Sequence, residues 1–296
     1  MAAVKSSDRV IERGASTQRF RLLREVAASP SGLAGLTLIG LVILVAVLAP
    51  LIAPYNPNEQ FKGAQLAPAF SPGHWLGTDE LSRDILSRVI YGTRVSLLVG
   101  FASVTAGATI GILLGLVSGM AGKITDTLLM RACDLILAYP GILLGIIAVA
   151  VLGPGLAQVC IAVAFVNIPV FARLTRASVL RERELDYVKA AMVQGAGAMR
   201  ITFRHLLPNS IGVVVTQLSS AAGQAILLEA SLSFIGLGVQ PPTASWGSML
   251  SKSREYLAIL PSYAIVPGLL LLLLVLGLNF FSDALQKALN PGSARR

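Results

Sequence analysis

Few side chains in this 296-residue chain could do chemistry, and they are scattered. Gly122-Lys123 comes nearest to a phosphate-binding loop. Ile124 follows the lysine, however, and Val117 stands five residues before the glycine, so a Walker A cradle cannot form. There is no Gly-x-Ser-x-Gly elbow and no His-Glu-x-x-His pair. The only histidines, His74 and His205, are too few and too far apart in sequence for a metal site. Cys133 and Cys160 lie in or beside apolar runs without a ligand spacing, which reads as packing. What remains is a set of polar groups among apolar ones: Asp134, three residues after Arg131, and then Gln217, Ser220, Gln224 and Glu229. At membrane depth such groups pair with one another, hold helices together or wet a path. Arg131 and Asp134 can satisfy each other. Asp134, Gln217, Ser220, Gln224 and Glu229 are the candidates to line a translocation path. No catalytic residue, cofactor site or metal site is read in the chain.

The elements that position these groups follow from composition. The chain is 54% hydrophobic and only 13% charged, which fits an all-α polytopic membrane protein. The net charge of +9 does not point to nucleic acid, because the basic residues are spread between apolar runs. Stretches free of Asp, Glu, Lys and Arg predict six transmembrane helices, at roughly 33–53, 95–120, 128–152, 156–173, 211–235 and 259–282. Gly153-Pro154-Gly155 divides the third from the fourth, and Tyr139-Pro140-Gly141 loosens the third. With the N-terminus inside, 18 of the 24 Lys and Arg face one side and six the other. That asymmetry predicts cytoplasmic termini and a cytoplasmic loop at 174–208. Residues 1–32 read as a basic cytoplasmic segment lying on anionic headgroups, and 291–296 as a cytoplasmic tail.

Three further patterns stand out. In the external segment 54–94, Thr78 can cap an amphipathic helix over 79–91 that lies on the membrane surface, with Asp79–Arg83 and Asp84–Arg88 as four-apart ion pairs. On the second span, Gly107, Gly111, Gly115 and Gly119 form a stripe where another backbone can come close. In the 174–208 loop, Tyr187–Asn209 reads YVKAAMVQGAGAMRITFRHLLPN: two short helices with a turn at Gly195-Ala196-Gly197, ending at Leu207-Pro208.

This last segment resembles the cytoplasmic coupling loop of binding-protein-dependent ABC importer permeases, whose consensus is Glu-Ala-Ala, three residues, Gly, then a distant Leu-Pro. The match falls on Ala190, Ala191, Gly195, Leu207 and Pro208, with Lys189 at the place of the glutamate. Residues 77–100, GTDELSRDILSRVIYGTRVSLLVG, and 229–250, EASLSFIGLGVQPPTASWGSML, resemble the dipeptide and oligopeptide branch of that family. The resemblance covers roughly residues 33–290 and implies the type I ABC importer permease fold. It also implies a peptide importer of the bacterial inner membrane, working by alternating access. Tyr187, Lys189, Ala190, Ala191, Gly195, Ala196, Gly197, Leu207 and Pro208 would face an ATPase. The implied partners are a related second permease, two ATP-binding subunits that hold ATP and Mg, an external solute-binding protein, a peptide substrate and membrane lipid. Other readings stay open: a stand-alone secondary transporter or channel, a membrane enzyme, or a nickel or glutathione importer within the same family.

Overall fold

The computed structural model describes residues 24–289, and the expectations for 1–23 and for the 291–296 tail lie outside those residues. Among the described residues there is no strand. The first helix, α1, runs Pro30–Ile52, with the Ser29 side chain accepting from the Gly32 amide and proline at the first turn, where its missing N–H costs nothing. Then follow α2 (Ile85–Leu98), α3 (Val104–Met120), α4 (Lys123–Leu137), α5 (Gly141–Leu152), α6 (Leu156–Arg183), α7 (Asp186–Val193), α8 (Ala198–Ile201), α9 (Leu207–Phe234), α10 (Trp246–Ser253) and α11 (Ser262–Leu289). A π-helical turn at Val99–Ser103 fuses α2 to α3, and another at Thr202–Leu206 fuses α8 to α9.

Among the described residues, five helical stretches are long and apolar enough to cross a membrane, and six if the bent pair α4–α5 counts as one span. Their limits differ from the sequence reading. The fourth span runs on to Arg183, so the first ten residues of the expected 174–208 loop are helix, and the last span is Ser262–Leu289 instead of 259–282. Asp84, not Thr78, caps the helix that leads into the second span: its carboxylate accepts from the Ser87 amide at 2.8 Å. Thr78 is instead fully buried in a turn and accepts from the Ala67 amide at 2.9 Å. Residues 79–84 are not helical, forming a tight loop closed by the Thr78–Asp84 bridge, so there is no separate surface helix at 79–91. Ile85 and Val89 are buried, and the helix continues unbroken to Met120. The third span is not one helix. Tyr139-Pro140 separates α4 from α5, and the two axes differ by 92°. Leu207-Pro208 does not end the loop, since the fused helix already begins at Ala198 and Pro208 sits inside it.

The core is built where small residues let helices touch. A Cβ on Gly107 would lie 2.5 Å from the Ala164 carbonyl oxygen. On Gly111 it would meet Ile168 O at 2.5 Å, and on Gly115 Ala172 O at 2.5 Å. On Gly119 it would strike the Val179 side chain at 2.5 Å. The α3 stripe therefore lies directly on the backbone of α6, a separation only glycine permits. Val159, Val163, Phe171, Val214 and Leu232 complete this interior from α6 and α9. Helices α1 and α11 form a peripheral pair, meeting where Gly35 faces Gly277 and Phe281, and they bury the smallest share among the five long helical stretches.

Candidate functional site

The segment 184–209 closes one end of the bundle. Helix α6 ends at Glu184, and α7 begins two residues later with Asp186 in its first turn, where an acid suits the positive helix end. The far end of α7 is closed by a Schellman cap. The Ala196 amide donates to Ala191 O at 3.0 Å and the Gly195 amide to Met192 O at 3.0 Å, with Gly195 at φ +79°. That conformation explains why a glycine stands here.

Val188 is the root of α7. It is fully buried in a cluster with Leu116 of α3, Val179 of α6, and Ile201 and Leu206 of the α8–α9 junction. Tyr187 supplies the polar bracing. Its hydroxyl donates to Glu182 Oε2 of α6 at 2.9 Å and accepts from Asn209 Nδ2 of α9 at 2.8 Å, and its ring lies 6.0 Å from that of His205. Burial and the Glu182 carboxylate push the Tyr187 hydroxyl pKa up, so it stays a proton donor at physiological pH. Helix α7 is thus tied to both long helices that flank it. Glu182 and Asn209 were not singled out by the sequence. The only signals were an acid inside an Arg-rich run and an amide directly after Leu207-Pro208.

The outward side of the segment is apolar. Val193 is 89% and Met199 73% exposed, and Met192 and Phe203 are exposed beside them. A cleft of about 460 Å³ opens between the two arms, walled by Tyr187, Ala190, Ala191, Gly195, Arg200 and His205. Ala190 is exposed and Ala191 and Ala196 half-buried, while Gly197 leads into α8. Lys189 turns back toward α6, with Nζ 3.3 Å from Glu184 Oε2, and both side chains are exposed. Met192, Val193, Met199 and Phe203 thus leave several large apolar side chains uncovered on this one segment.

The candidate path residues do not gather into one site. Asp134 on α4 is half-exposed and held chiefly by Arg173 of α6, while Arg131 reaches it only at 3.8 Å. About two turns nearer the α4 start, Asp126 binds Arg176 of α6 through two nitrogens, one at 2.6 Å, and accepts from Ser118 of α3. Gln217 borders a cavity of about 380 Å³ with Arg181, Asn209, Thr216 and Gln286 near the α7 end. Ser220 is half-buried and Gln224 exposed. Glu229 is fully buried and accepts from Ser233 Oγ at 2.7 Å. It lies within the chain's own core, where Gly247 of α10 packs on Ala230 and Ser233.

At the opposite end, Asp79 accepts from the Leu81 and Arg83 amides at 2.9 Å and from Arg83 Nε at 2.7 Å, with Arg88 Nε 3.3 Å away. The expected Asp84–Arg88 pair is not formed, because Asp84 is taken up by Ser87 and by His74 Nδ1 at 2.9 Å.

Long apolar helices, a short helix braced across the end of the bundle and a glycine seam define a multi-pass membrane permease. A family model described as binding-protein-dependent transport system inner membrane component matches residues 111–295, and the N-terminal TM domain of oligopeptide transport permease C matches 20–69. The chain belongs to the family of inner-membrane components of binding-protein-dependent transport systems, the permease subunits of ABC importers. The Di/tripeptide transport system permease protein DppC of Pseudomonas aeruginosa is 44% identical over 90% of this chain and 89% of its own length. The Glutathione transport system permease protein GsiD of Pectobacterium atrosepticum is 44% identical over 92% of this chain and 89% of its own. A chain from inward facing conformations of the MetNI methionine ABC transporter shares the fold, with TM-score 0.57 and 18% identity over 68% of this chain and 96% of that one.

Proposed function

We propose that this chain forms half of a path that carries dipeptides and short oligopeptides across the bacterial inner membrane, a class that includes glutathione. A related permease supplies the other half. Two ATP-binding subunits, holding ATP and Mg, dock on α7 from the cytoplasm, where both termini also lie. A solute-binding protein delivers substrate at the opposite face. The observation that carries this reading is the braced α7 platform, with its exposed Met192, Val193, Met199 and Phe203 and its ties to α6 and α9. Relatives named for di- and tripeptide and glutathione transport support the substrate class. Closure of the ATPase pair would push α7, and the buried Val188 cluster would pass that push to α3, α6 and α9.

The test is to purify the tagged chain gently from its own membrane and identify what accompanies it. The assembly is then reconstituted with labelled dipeptide and labelled glutathione. Co-purifying ATP-binding subunits, together with ATP-dependent uptake of either solute, support the proposal. A chain that emerges alone and moves solute without ATP makes it an ion-driven transporter or a channel.

A further inference from the structure

The end of the bundle remote from α7 carries an aromatic turn that the transport reading leaves unused. Residues 70–75 fold back on themselves, the Phe70 amide donating to Trp75 O at 3.0 Å and the His74 amide to Ser71 O at 2.8 Å. The inner side of the turn is well packed. His74 is buried against Tyr55 and Phe61, with ring centroids 5.4 and 4.8 Å away. Phe70 and Trp75 nevertheless point outward, 80% and 67% exposed. Of the two tryptophans in the chain, the other, Trp246, is fully buried.

The depth of this turn follows from its tethers. Tyr55 donates from its hydroxyl to Gly73 O at 3.0 Å, and Ser262, the first residue of α11, donates to Leu76 O at 2.9 Å. The turn therefore sits at the ends of α1 and α11, the two least buried of the five long helical stretches. Helix α1 has 23 residues, about 35 Å at 1.5 Å per residue, so it only just exceeds a hydrocarbon core of about 30 Å. Its end is thus near the boundary of that core, and Tyr55 is three residues further on. Leu51 of α1, and Leu257 and Ile259 just before α11, are exposed around the same place, while Leu260 packs inward with Leu76.

We propose that Phe70 and Trp75, flanked by Leu51, Leu257 and Ile259, form an interfacial anchor that seats this end of the α1–α11 pair in the lipid headgroup layer. Amphipathic rings favour that layer, and a tight turn fixed to two helix ends holds them there. The occupant is the bilayer itself, whichever solute is carried.

Tryptophan quenching tests this directly. The intact transporter and its Trp75→Phe variant are placed in nanodiscs containing lipids with a nitroxide near the headgroup or deep in the acyl chain, and iodide is used as the aqueous quencher. The difference between the two proteins isolates Trp75, and the exposed position makes the phenylalanine variant harmless to folding. The expected result is that the shallow nitroxide quenches the Trp75 component at least about twofold more than the deep nitroxide or iodide. Dominant iodide quenching would put the turn in water and overturn the anchor. Dominant deep quenching would overturn its depth. Protection from every quencher would mean that another protein covers the turn. None of these outcomes bears on whether ATP drives transport.

Discussion

At the residue scale, Tyr187 decides how firmly α7 is held. Its hydroxyl joins Glu182 of α6 to Asn209 of α9, so one oxygen links the helices on both sides of α7. Tyr187→Phe keeps the ring beside His205 but leaves Glu182 and Asn209 without this partner. A net loss of about 1 kcal/mol corresponds to about fivefold weaker coupling. Transport per ATP hydrolysed should fall by that factor while the ATPase rate is kept, measured side by side in proteoliposomes. Gly195 makes a second test. Its positive φ closes the Schellman cap, and nothing stands within 4 Å of where a Cβ would be. Gly195→Trp should therefore leave the protein inserted, strain the cap and block the docking face, so that uptake is lost. Undiminished uptake by this variant would refute docking at α7. The glycine's role was legible in the sequence, because Ala190-Ala191 followed by a Gly-Ala-Gly break needs a left-handed residue at the helix end. The fate of Glu229 was not: polarity in a span does not say that the carboxyl is buried, with Ser233 on Oε1 and, among the described residues, no hydrogen-bond partner on Oε2.

At the element scale, α4 depends on α6 through two cross-helix carboxylate–guanidinium contacts, Asp126 with Arg176 and Asp134 with Arg173. The sequence suggested Arg131 as the partner of Asp134, since spacing along one helix is visible and proximity between helices is not. A double-mutant cycle should show coupling between Asp134 and Arg173, and close to none between Asp134 and Arg131, measured as thermal stability of the purified assembly. The glycine seam gives the larger effect. Gly111→Ala sets a methyl carbon 2.5 Å from the Ile168 carbonyl oxygen, which only backbone movement can relieve. The expected destabilisation is about 1–3 kcal/mol, read as a lower Tm and a smaller yield of assembled complex. The four-residue glycine spacing made this face legible. The start of α2 was less so, because Thr78 and Asp84 are both good caps, and the choice between them depends on Ala67, which lies far from either on a sequence pattern. Likewise Pro140 announced a break, but an apolar run on either side carries no direction, so the 92° turn could not be read.

At the scale of the whole molecule, the fused helices set the mechanics. Ala198–Phe234 is one continuous 37-residue helical stretch, with a π-helical turn at Thr202–Leu206, that begins just after α7 and ends beside α10. At 1.5 Å per residue it is about 55 Å long, well beyond a membrane core of about 30 Å. Such a stretch cannot lie within the bilayer, so it must lean or stand proud of it. A lean of about 10° applied at the α7 end sweeps the other end through roughly 10 Å on this length. That is comparable to the width of a helix, so a small stroke at the α7 end, where we propose that the ATPase docks, is geometrically enough to move one helix clear of its neighbour at the far surface.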